Sequence, residues 1–201
     1  VPDLYEAELR DLVEASTDEV RRLDHIVDQF LKAIRPSKPQ LEPTDINELI
    51  KESMRFLEPE IKDRGLNLTL ELRSALPALE LDPDQIKQAF YNIVKNSIQA
   101  TPESGKITVK TDLSDNHILV TFNDTGEGIS AENLSTVFQP YFTTKKSGTG
   151  LGLLIIRRII REHGGDIKIS SEEGFGTSVC ISLPRQQRNV RLLPLEQKNK
   201  D

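Results

Sequence analysis

Asp124 closes the apolar run His117-Ile-Leu-Val-Thr-Phe-Asn and is followed by Thr125-Gly-Glu-Gly. A carboxylate only accepts hydrogen bonds, so on a pocket wall it would take the exocyclic N–H of adenine and repel the acceptor oxygen that guanine presents there. Gly126 and Gly128 would let backbone come within contact distance of a base, where a Cβ would intrude. Taken alone, Asp-x-Gly-x-Gly is also the composition of an ordinary turn. Further along, a denser cluster, Gly148-Thr-Gly-Leu-Gly152, runs straight into the apolar stretch Leu-Leu-Ile-Ile-Arg-Arg-Ile-Ile. Glycines at a helix N-terminus leave N–H groups uncovered where the aligned peptide dipoles favour negative charge. That combination is a seat for phosphate.

The third piece is a set of amides. Gln88, Asn92 and Asn96 recur every fourth residue and stack on one face of a helix, with Ile86, Ala89, Phe90, Ile93 and Val94 on the opposite arc and Asn96 at the boundary between the two. A solvated polar edge is the plainer account of any one amide pair, and Lys95 by itself is a solvated lysine. The phosphate seat and the acid-glycine turn elsewhere in the chain favour a site face.

These residues need elements to hold them. From Thr44 a helix is expected, opening on Asp45 and Glu48 at capping-box spacing and closing at Gly65. Leu66, Leu68, Leu70 and Leu72 alternate with polar residues, as a half-buried strand does. Asp82 as cap and Pro83 at the first helical position start the amide-bearing helix, which runs to about Ala100. Gly105 to Leu113, a turn at Asp115-Asn116 and the run into Asp124 form a hairpin, and two more strands flank the turn residues Glu172 to Gly176.

Residues 1–36 read as a single helix, because Val13, Ser16, Val20, Leu23, Val27, Phe30 and Ile34 recur at alternating steps of three and four. That is the seam of a coiled coil or bundle, and it wants a partner helix. Pro36 and the residues around it stop the helix, so 37–43 reads as a linker to a domain spanning 44–185. The tail 186–201 is polar, has no consistent period and is expected to be disordered.

Composition narrows the partners. The 201 residues carry 26 basic and 32 acidic side chains, a net charge of −6 that offers no extended positive field to a nucleic acid. One cysteine cannot form an internal disulfide, and no apolar run approaches the roughly 20 residues of a bilayer span. A cytoplasmic setting fits. The chain opens on Val1, which leads us to expect an excised piece of a longer protein that reaches a membrane only through other parts.

In order and spacing, these segments resemble the ATP-binding boxes of the GHKL superfamily of gyrase, the ninety-kilodalton heat-shock chaperone, histidine kinases and mismatch-repair ATPases. Gln88 to Ala100 resembles the N box, Asn123 to Ile129 the first G box, Val137 to Lys145 the F box, and Gly148 to Leu153 the second G box. Gly176 to Pro184 is similar to the closing strands. The resemblance covers about residues 41 to 184 and is most specific for the catalytic and ATP-binding domain of sensor histidine kinases, of the nitrogen-regulator type whose lid reads Pro-Tyr-Phe-Thr-Thr-Lys.

The resemblance implies an α+β fold: a mixed, mainly antiparallel sheet of about five strands covered on one face by three helices, preceded by a long bundle helix. It implies ATP or ADP with Mg²⁺, the ion on Asn96, and phosphate or metal contacts from Asn92 and Lys95. Asp124 would hold the adenine, with Gly126, Gly128 and Ile129 beside it and Thr177 behind it. Gly148, Thr149, Gly150, Leu151 and Gly152 would cradle the phosphates under a lid of Thr143, Thr144 and Lys145, and Asn92, Lys95 and Lys145 would be the catalytic set. Partners implied are a phosphoacceptor helix of the same or a partner subunit, a response regulator, and a second copy in the intact protein.

One departure from the wider superfamily matters: gyrase-like members place a glutamate at the position of Asn92, and an amide cannot take a proton from water. Hydrolysis should be slow, and transfer to an imidazole fits better. Yet no histidine here qualifies as acceptor. His25 lies in what resembles the second helix of a dimerisation hairpin, and His117 and His163 read as structural, so the acceptor helix is expected upstream of Val1. The competing functions are a nucleotide-holding module without transfer activity, a self-contained ATPase and an anti-sigma-type serine kinase. The seam helix argues against the last and Asn92 against the ATPase. Gly-Lys-Ile-Thr at 105–108 lacks the first glycine of a P-loop, and no Cys/His spacing supports zinc.

Overall fold

The computed structural model describes residues 38–143 and 150–185, together with Val13, Ser16, Thr17 and Val20. Those four are helical. The remainder of the expected bundle helix, and the tail 186–201, lie outside the described residues.

Strand β1 (Glu42–Thr44) leads into helix α1 (Ile46–Asp63), then β2 (Asn67–Glu71), β3 (Leu79–Leu81) and helix α2 (Pro83–Ala100). The hairpin β4 (Lys106–Ser114) and β5 (His117–Asp124), the single turn α3 (Ala131–Leu134), helix α4 (Gly152–Glu162) and the hairpin β6 (Asp166–Glu172) and β7 (Gly176–Pro184) complete the order. Five strands form one sheet in the order β2-β4-β5-β7-β6, with β2 parallel to β4 and every other pairing antiparallel. The expected α+β architecture, one face of a mainly antiparallel sheet covered by helices, is the one observed. Among the described residues no helix is long and apolar enough to cross a membrane.

The expected linker over 37–43 meets a strand at its end. Glu42–Thr44 pair antiparallel with Leu79–Leu81, and the Gln40 N–H donates to Asp82 Oδ2 at 2.8 Å, so the chain is tied to the domain ahead of α1. Two three-residue strands leave little pattern to read, and Pro43 sits in one of them.

Helix boundaries follow their caps. Asp45 Oδ1 accepts from the N–H groups of Asn47 and Glu48, and α1 ends in paired bonds from Gly65 N to Lys62 O and Leu66 N to Ile61 O, with Gly65 at φ +64°. Asp82 Oδ1 accepts from Gln85 N at 3.0 Å at the start of α2.

The core lies between helices and sheet. Ile118, Val120 and Phe122 of β5 alternate inward, in register with Leu183, Ile181 and Val179 of β7, and Phe90 of α2 packs on Phe122 with ring centroids 5.3 Å apart. From α4, Ile155, Ile156, Ile159 and Ile160 are buried against the same body. Buried His163, at the end of α4, shares its Nδ1–H with the Ile159 carbonyl at 2.7 Å and accepts the Asp82 N–H at Nε2, 3.0 Å away. One nitrogen donates and the other accepts, which assigns the neutral ring. The C-terminus of α4 is thereby fastened to the N-terminus of α2, and the opposite ends of both helices are left to line a common cleft. On the surface, Arg73 hydrogen-bonds Asp112 Oδ1 at 2.7 Å and holds that carboxyl below its ordinary range.

Candidate functional site

Every second residue of β5 is buried, and Asp124 falls in phase with Ile118, Val120 and Phe122, so a carboxylate occupies the helix-covered face at the strand's end. Its neighbours across the sheet are Ile107 on one side and Thr177 on the other, and Thr177 in turn faces Ser171 of β6. One cross-strand row of an otherwise apolar face is thus polar in three consecutive strands.

Asp124 is 8% exposed and is held by three donors. Oδ1 accepts from Gly126 N at 3.0 Å and Thr177 N at 3.1 Å, and Oδ2 from Ser97 Oγ at 2.8 Å. A burial that would otherwise be costly is compensated by these bonds. Of four lone-pair positions on the carboxylate, one on Oδ2 is left to face the cleft.

The cleft is a cavity of about 640 Å³, a size suited to a small ligand. Asn92, Lys95 and Asn96 line it from α2, Asp124 and Thr177 from the sheet, Gly128 and Ile129 from the first glycine turn, Thr143 from the lid segment, and Gly150 and Gly152 from the start of α4. Gln88, on the same helical face as the two asparagines, is not among the lining residues. Thr144, Lys145, Gly148 and Thr149 lie outside the described residues. Leu151 is buried behind the wall, where its carbonyl accepts the Ile155 N–H at 3.0 Å as the first bond of α4. No side chain caps that helix.

The glycines have different reasons. Gly126 is not on the cavity wall. A Cβ there would lie 2.7 Å from the Ala100 carbonyl oxygen, which also accepts the Glu127 N–H at 3.0 Å. Its small size lets the turn close on the end of α2 and satisfy an orphan helix carbonyl. Gly128, at φ +70°, would collide with the Glu172 carbonyl, and Gly150, at φ +67°, with the backbone of Tyr141. At Gly152 a Cβ would meet nothing within 4 Å.

Two relationships were not foreseen from sequence. Lys95 Nζ contacts both carboxylate oxygens of Glu60 on α1 at 2.7 Å. Ser171 Oγ accepts from Ile129 N at 2.8 Å, donates to Gly176 O at 2.8 Å and lies 2.9 Å from Thr177 Oγ1. The pattern did carry a signal for the serine: Ser171 is in phase with Ile167 and Ile169, as Thr177 is with Val179 and Ile181.

A second hollow, of about 680 Å³, lies around Asp63, Arg64, Glu103 and Thr125. Its carboxylates outnumber its one cation, an unsuitable lining for a polyphosphate. Among the described residues no group of three or more His, Cys, Asp or Glu could hold a metal ion.

Residues 81–187 match the family model described as histidine kinase-, DNA gyrase B- and HSP90-like ATPase. The chain belongs to that family. Within this ATPase family it is similar to the sensor histidine kinase ZraS of Escherichia coli (strain K12), 34% identical over 177 residues, which are 88% of this chain and 38% of that protein. The catalytic domain of histidine kinase ThkA, in a nucleotide-free form, superposes with a TM-score of 0.67 at 35% identity, over 73% of this chain and 96% of that one. A structure of ThkA in complex with the response regulator protein TrrA gives a TM-score of 0.74 at 30% identity, over 89% and 52% of the respective chains. The fold is that of a histidine-kinase catalytic domain. The chain spans between about a quarter and two fifths of the length of the curated relatives it matches, 38% for ZraS of strain K12 and 23% for sporulation kinase E of Bacillus subtilis (strain 168).

Proposed function

We propose that this chain is the ATP-binding kinase domain of a two-component sensor histidine kinase, which passes the γ-phosphoryl group of ATP to a histidine on a helix outside the chain. The observation that carries the reading is the single cavity walled by Asn92 and Asn96 of α2, by Asp124 and Thr177, and by Gly150 and Gly152 of α4.

The donor set supports a nucleotide. Asp124, an acceptor locked by three protein donors, suits the amino group of adenine. The uncapped start of α4 suits phosphate oxygens, and Lys95 and Thr143 line the same cavity. Mg²⁺ fits an amide site, since the ion keeps several waters and needs few protein oxygens when phosphates supply the rest. Asn96 would hold it, and bound there it would draw off phosphate charge. Asn92 would orient the phosphates and offers no base to water. A neutral imidazole is already a nucleophile, so positioning and charge screening suffice.

The partners follow from that role: a phosphoacceptor hairpin from the same or a second subunit, then a response regulator, in a cytoplasmic setting and within a homodimer. The test mixes this chain with a separate hairpin bearing an acceptor histidine and ATP labelled at the γ-position. Acid-labile label on the hairpin is expected, and its absence in the presence of bound ATP would favour a nucleotide-holding module without transfer activity.

A further inference from the structure

We infer that Ser171 is a specificity-determining residue of the nucleotide site, acting by fixing the direction of the Thr177 hydroxyl. The inference rests on the nucleotide reading above and extends it to a residue outside the binding boxes.

The argument is a count of protons. Ser171 Oγ carries one hydrogen. The Gly176 carbonyl, 2.8 Å away, can only accept, so that hydrogen belongs to Ser171 and points at Gly176. Ile129 N–H already donates to Ser171 Oγ at 2.8 Å. The remaining contact, 2.9 Å to Thr177 Oγ1, is satisfied only if Thr177 donates to Ser171. Thr177 then has no proton for the cavity it lines, and presents lone pairs only.

Beside it, Asp124 is acceptor-only. Ser97, another lining residue, is in the same condition, because its hydroxyl proton is committed to Asp124 Oδ2 at 2.8 Å. Three oxygens at one end of the cavity therefore accept and do not donate. That end receives the 6-amino group of a purine, directly or through water, and disfavours a 6-oxo group, for which an unrotated hydroxyl offers nothing. Without Ser171, Thr177 Oγ1 could turn its hydrogen into the cavity and meet a 6-oxo purine.

ADP and IDP differ at this position, and calorimetric affinities of both for the wild-type chain, Ser171→Ala and Ser171→Thr read the effect. Ser171→Ala should narrow the ADP-to-IDP affinity ratio by about fivefold to tenfold, the worth of one redirected hydrogen bond. Ser171→Thr, which keeps the hydroxyl, should retain the wild-type ratio. A uniform loss for both nucleotides in Ser171→Ala, or an unchanged ratio, would overturn the inference by reducing Ser171 to a structural role. Should Ser171→Ala fail to fold, Thr177→Val gives the same reading, because loss of the acceptor weakens ADP and not IDP, and an unchanged ratio there is equally contrary. Failure of the wild-type chain to bind ADP at all would instead count against the nucleotide reading itself.

Discussion

Lys95 Nζ stands 2.7 Å from each carboxylate oxygen of Glu60, which joins α1 to α2 at the rim of the cavity. About a third of each side chain is exposed, 34% and 36%, so the pair adds little to stability, ~1 kcal/mol or less. Its effect is on the charge that phosphate would meet. Glu60→Gln removes the competing anion and should raise ATP affinity by roughly twofold to fivefold at low salt, with the gain shrinking as salt rises. Lys95→Ala should lower it. Unchanged affinity in both variants, measured by nucleotide titration, would separate Lys95 from the phosphates.

Asp124→Asn tests the purine end. The carboxylate accepts three protein hydrogen bonds, and an amide must turn its NH₂ either toward the two backbone donors or toward Ser97. We expect ADP affinity to fall by about tenfold or more and stability to drop by roughly 1–3 kcal/mol. Chemical unfolding and calorimetry on the same preparation check both, and full retention of ADP affinity in a folded variant would remove Asp124 from the site.

Two glycines two residues apart should answer differently to the same change. Gly150→Ala forces a Cβ into Tyr141 at a positive φ and should destabilise the fold. Gly152→Ala meets open space inside the first turn of α4, so stability should hold or rise by about 0.5–1 kcal/mol. Nucleotide affinity should nevertheless fall, because the added methyl lies on the cavity wall. A Gly152→Ala chain that is stable and binds ADP normally would move the phosphate seat elsewhere.

Much of this site was written locally. Asp45 and Asp82 announced their helices through caps, the Gly148-to-Gly152 cluster preceded the apolar face of α4, and Asp124 stood at the end of the apolar strand β5. What the sequence hid was relational. Glu60 and Lys95 meet only because α1 packs beside α2, and no spacing within either helix signals it. The packing of Gly126 on the Ala100 carbonyl was not foreseen, since that approach depends on how α2 ends against the turn. The short strands β1 and β3 have three residues each, too few for a period to emerge. Ser171 was passed over although it falls in phase with Ile167 and Ile169, because the significance of a polar residue there appears only once it is aligned across the sheet with Thr177 and Asp124.

Asn96→Ala should separate metal from base. With the amide gone, ADP should still engage the purine end, while the difference in affinity with and without Mg²⁺ should largely vanish. Calorimetric titrations in magnesium and in chelator provide the comparison. Persistence of a wild-type magnesium effect would assign the ion to another ligand.

The most direct measurement follows the backbone amides of the isotope-labelled chain by NMR during titration with ADP and Mg²⁺. Saturable shifts should concentrate on Asn92, Asn96, Ile129, Gly150, Gly152 and Thr177, and they should require markedly higher ADP concentrations in the Asp124→Asn chain. Shifts confined to the hollow around Asp63, Arg64 and Glu103, or none at all, would contradict the assignment of this cavity to an adenine nucleotide.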